Sequence, residues 1–220
     1  MAPNSQRNGD GSSPDIIRHL VLLGDALQNI DLGAGEIESA LVPRPRNPWK
    51  LTVVQALQAL PRGHVREIPE DATHVVISIE GAWAIEASGL LQGGTHTISE
   101  ALETLATAAD EFEGILRSMI DAAQETGLPT LVCTLVPAHH PKPVQHRILS
   151  TALAIFNDRV MRRAVAAGLS IVDLRLVCDE DADYASATLL SRAGVRKVAN
   201  VVRAALYEVS GRGGGTRVYF

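Results

Sequence analysis

His19-Leu20-Val21-Leu22-Leu23-Gly24-Asp25-Ala26 is the stretch whose reading decides the fold. The residues up to Leu23 suit a buried β-strand, and Gly24-Asp25 marks a tight turn after it. Such a turn carries the next side chain to the carboxyl edge of a sheet, where open α/β folds keep their chemistry. The next residue is Ala26, whose methyl group can neither attack nor accept a proton.

Short apolar runs alternate with longer segments of helical period beyond this stretch, the pattern of repeated β-α units. Trp49–Val54 reads as the second strand, after a Pro-rich connector at Pro43–Pro48 that cannot be helical. Thr73–Ile79 is the third strand, β-branched at Val75-Val76-Ile77. Thr97 and Glu100 form a capping box ahead of a long helix. Ile98, Leu102, Leu105, Ala109, Phe112, Leu116 and Ile120 make its apolar stripe, and Gly127 and Pro129 stop it.

Thr130–Leu135 is the fourth strand, followed by a loop holding His139 and His140. A second long helix runs from about Val144 to Ala167, with Ile148, Ala152, Ile155, Phe156, Val160 and Ala164 on one face. Ser170–Leu174 is the fifth strand, and a last helix spans about Ser191 to Val209. Five strands with helices between them predict a mainly parallel sheet covered on both faces, an α/β/α sandwich. One domain over 16–209 is expected, between a disordered tail at 1–15 and a loose Gly-rich tail at 210–220.

Composition narrows the function classes. The chain has 220 residues, 46% hydrophobic and only 4% aromatic, so its core must rest on Ala, Val, Leu and Ile. A net charge of −5 gives no reason to expect a nucleic-acid partner. No apolar run approaches the roughly 20 residues of a membrane span. The polar start lacks the apolar stretch of a signal peptide, which makes a cytoplasmic location the expectation. Two cysteines, Cys133 and Cys178, each follow a strand-like run and read as buried thiols rather than a disulfide.

Several of these stretches, in their order and spacing, resemble the SGNH, or GDSL-type, hydrolases. They are Leu22–Asp25, Leu60-Pro61 through Asp71–Ser78, Leu128–Thr134, Phe156-Asn157-Asp158 and Asp173–Cys178 with Ala182–Ala185. The resemblance implies a flavodoxin-like five-stranded sandwich and hydrolysis of carboxylic esters. It also implies a Ser nucleophile, Gly and Asn oxyanion donors, and an Asp-His pair. This chain departs from that set block by block. Ala26 stands in the Ser position after Asp25, and Gln58 falls near the second block's Gly turn. The third block keeps Gly81 but has Ala82 in the Asn position, and Leu189 falls where the His belongs. The expectation is therefore a catalytically inactive relative with a binding or accessory role, its partner a small molecule or a protein. Asp25, Ala26, Gln58, Trp83 and Leu189 would line the former pocket.

The alternative is an ester or acyl hydrolase working through a substitute site. Cys178 with His139 or His140 is the candidate pair, against the plainer reading of an unreactive thiol and two loop histidines. No H-E-x-x-H or C-x-x-C spacing supports a metal, and no cofactor is expected. Gly33-Ala34-Gly35 lacks the third Gly of a dinucleotide loop, with Glu38 in its place. Asp179-Glu180-Asp181 reads as a solvated acidic turn, Arg159, Arg162 and Arg163 as a solvated helix face, and His74 as a capping or packing residue. Trp83 reads first as packing and second as a ligand platform.

Overall fold

Strand β1 (Arg18–Leu23) is buried from His19 onward, and its side chains alternate between two cores. Val21 and Leu23 face one, while Leu20 and Leu22 face the other. A strand apolar on both faces must be covered on both, and the rest of the chain does this. The structure, a computed structural model, describes residues 18–24, 49–54, 68–79, 97–187, 189–211 and 215–220. The expected N-terminal tail, the Gly33–Gly35 loop and the Pro-rich connector lie outside them.

Strands β2 (Trp49–Val54), β3 (His74–Ile77), β4 (Thr130–Cys133), β5 (Ser170–Val172) and β6 (Val218–Tyr219) complete a sheet ordered β2-β1-β3-β4-β5-β6. Every pairing in it is parallel. Helices α1 (Ile98–Glu125) and α2 (Pro143–Ala166) cover one face. Helix α4 (Arg192–Gly211) covers the other, after the short helix α3 (Leu174–Val177). The expected three-layer α/β/α sandwich is present.

Among the described residues the sheet has six strands, not five. Val218–Tyr219, inside the segment read as a loose tail, pairs with Ile171 and Val172. Two residues between glycines and an end carry no readable period, yet the β5 edge left peptide groups for them to satisfy.

Thr97 caps α1 as expected: its hydroxyl accepts from Glu100 N, and its own N donates to the Glu100 carboxylate. The predicted stripe holds from Leu105 to Ile120 but fails at its start, where Ile98 is 81% and Leu102 58% exposed. A helix of 28 residues spans about 42 Å, against roughly 13 Å for a four-residue strand such as β4. The first turns of α1 therefore overhang the sheet. Ile148, predicted on the buried face of α2, is 44% exposed for the same reason. Arg159 and Arg163 depart from the solvated-face reading by pairing with Asp110 and Glu113 of α1; Arg162 pairs with Asp158 of its own helix.

Polar groups gather at the amino edge of the sheet. His74 is buried against Trp49, ring centroids 5.0 Å apart. Its Nε2 lies 2.6 Å from Ser210 Oγ, which itself donates to Leu206 O. Its Nδ1 lies 2.8 Å from the Thr73 hydroxyl, which also reaches the His19 carbonyl at 3.1 Å. Burial, with Arg18 nearby, lowers the His74 pKa from 6.5 to about 4.

Gly24 has φ +107°, and a Cβ there would meet Ser78 O at 2.1 Å. We expect Gly24→Ala to lose at least about 2 kcal/mol in urea unfolding, through strain and collision. Gly114, inside α1 with nothing within 4 Å of a Cβ, is the control; Gly114→Ala should gain up to about 1 kcal/mol. Equal effects would contradict the close approach. The linkage of His74 is also testable. Above about pH 6.5 the imidazole is neutral folded and unfolded; between 6.5 and about 4 only the unfolded chain takes the proton. Stability should fall over that window by up to about 3 kcal/mol, and His74→Gln should flatten the decline.

Candidate functional site

In a sheet of this order, the direction of winding reverses between β1 and β3, and ligands collect outside the carboxyl ends of those strands. The described residues at that point are Gly24 and Ser78. Gly24 N donates to Val54 O and Ser78 N to Leu23 O, so the ends of β2, β1 and β3 are stitched together there. The positive φ of Gly24 turns the chain sharply out of the strand, and the missing Cβ lets it pass against the Ser78 carbonyl. Asp25 and Ala26 follow directly in sequence. Asp25, Ala26, Gln58, Gly81, Ala82 and Trp83 themselves lie outside the described residues.

Leu189 is described. It is half-buried, and its carbonyl accepts from Ala185 N at 2.8 Å, closing a loop between the bridged pair Tyr184 and Leu190. Ser191 follows, its hydroxyl accepting from Ala193 N and Gly194 N at the start of α4. Gly194 is required here because a Cβ would meet Asp183 O at 2.3 Å. The loop is thus locked against the helix, with an aliphatic side chain at the position that the family resemblance assigns to His.

The loops holding the substitute candidates do meet. His139 N donates to Ala187 O, and its ring stacks on Tyr184 at 4.5 Å. Its Nε2 lies 3.9 Å from Asp181, which is exposed. His140 Nδ1 accepts from Lys142 N. Cys178 engages neither histidine: it packs into the core beside α4, and Tyr184 reaches only its carbonyl, through the phenol. Burial pushes the Cys178 thiol up to about 12, and Asp183 adds to the shift. A nucleophilic cysteine needs the opposite environment. Cys133 is likewise raised to about 12 by burial; the nearby Ser78 hydroxyl opposes the shift, but the contact falls short of hydrogen-bond geometry. Among the described residues no group of His, Cys, Asp and Glu could hold a metal ion.

Two features were not read from the sequence. Lys197 of α4 gathers Asp179, Glu180 and Asp183 at 3.6, 2.9 and 2.9 Å. The acidic turn Asp179-Glu180-Asp181 is exposed as expected, while Asp183 just beyond it is wholly buried. Asp173 ends β5 and caps α3, bonded to Thr134 and held by two nitrogens of Arg175. Burial raises its pKa, but Arg175 outweighs this and keeps the carboxyl below its usual range. A lysine one helical turn into α4 after a Gly, and an Asp just past an apolar run, were the available signals.

By sequence the chain matches no family profile and no curated protein. By structure it is similar to an extracellular lipase from Streptomyces rimosus, at 11% identity, covering 88% of this chain and 99% of that one with TM-score 0.60. An acetyl xylan esterase aligns at 15% identity over 86% and 99%, TM-score 0.60. A GDSL-like lipase from Bacteroides thetaiotaomicron aligns at 13% over 88% and 89%, TM-score 0.59. The protein has the fold of the SGNH, or GDSL-type, hydrolases. No helix among the described residues is long and apolar enough to cross a membrane.

Proposed function

We propose that this chain is a catalytically silent SGNH-type domain that acts by binding, as a ligand-holding or accessory subunit. The observation that supports this most is the turn at Gly24. The backbone requirement of the turn is retained to the point of excluding any Cβ, yet two residues later the chain offers Ala26. Ala82 at the Asn position and Leu189 at the His position remove an oxyanion donor and the base. Losing the nucleophile of a triad leaves only about a thousand- to ten-thousand-fold of catalysis, and losing one oxyanion donor costs roughly a further hundred- to thousand-fold. The two losses together bring the expected rate close to that of water. The raised thiol of Cys178 offers no replacement at neutral pH.

A tag-free preparation should hydrolyse p-nitrophenyl acetate at the buffer rate from pH 6 to 9. Ala26→Ser alone should stay silent, since Leu189 supplies no base. Turnover by the pure protein that disappears with Cys178→Ala would overturn the proposal in favour of a thiol hydrolase.

A further inference from the structure

The overhang of the two long helices leaves a groove on the outer helical layer. Leu102 and Leu105 of α1 face Ile148 and Ala152 of α2 across a hollow of about 260 Å³. Ile98 and Val144, beside it in the first turns of the same helices, are 81% and 62% exposed. Aliphatic side chains left in water next to one another mark a surface that gains by being covered.

Among the described residues one charged side chain lines this hollow, that of Arg147. Among the described residues Arg147 has no acidic partner within ion-pair distance, whereas its neighbours along α2, Arg159, Arg162 and Arg163, are all paired. Thr151, also in the lining, turns its hydroxyl to the Arg147 carbonyl and does not compete for the guanidinium. A planar guanidinium beside an aliphatic trough suits a carboxylate joined to a hydrocarbon chain. The size and shape favour the same ligand. A second copy of the chain would need roughly 800 Å² on each side for a stable dimer, which a narrow hollow between two helices does not supply.

We propose that the α1–α2 groove binds a free medium-chain fatty acid, its chain along Leu102, Leu105, Ile148 and Ala152 and its carboxylate on Arg147. The binding it predicts does not depend on whether the chain is catalytically silent.

Decanoate, used below its micelle concentration, is the probe. Titrated into the full chain with labelled methyl groups, it should shift the Leu102, Leu105 and Ile148 signals saturably. Arg147→Glu should weaken decanoate at least ten-fold and leave the neutral analogue 1-decanol unchanged; Leu102→Glu should abolish both. Both side chains are exposed, so neither substitution touches the core. Shifts centred elsewhere, or decanoate affinity indifferent to Arg147→Glu, would overturn the proposal. So would a concentration-dependent doubling of mass in light scattering that Leu102→Glu reverses, since that places a second copy on the groove.

Discussion

The carbonyl of Ser78 leaves no room for a side chain at residue 24, and this restriction joins the fold to its candidate site. It binds the ends of β1 and β3 at the place where the sheet reverses its winding. Any larger residue would have to push one strand away from the other. Gly24 is therefore demanded by packing alone.

A second close approach repeats this logic across the crevice. Gly194 lies against the Asp183 carbonyl, so the loop from Cys178 to Leu190 is held to the start of α4. Lys197 adds an electrostatic tie to the buried Asp183 carboxylate, and Tyr184 stacks on His139 to reach the β4–α2 loop. The loop that holds Leu189 is thus kept in place by packing and charge. Stability alone accounts for its order: removing these contacts would leave a buried carboxylate without a cation.

Much of this was legible in the sequence. Strand β1, the Thr97–Glu100 capping box and the helix ends at Gly127 and Gly168 announce themselves through local chemistry that needs no tertiary context. The exposed ends of the apolar stripes were not legible, since period alone says which face is apolar and not where the sheet beneath it stops. Ile98 and Leu102 belong to the right face but overhang it. Strand β6 escaped because two residues carry no period and an open sheet edge is invisible in a sequence. At the candidate site, the identities of Ala26 and Leu189 could be read. The burial of Cys178 could not, because its neighbours come from α4, many residues away.

An activated hydroxyl in the crevice would react with a fluorophosphonate whether or not the right ester had been found. Intact mass after prolonged exposure of the native chain is the most direct measurement. An unchanged mass is the predicted result; a single phosphonylated hydroxyl at the carboxyl edge of the sheet, Ser78 above all, would contradict a silent site.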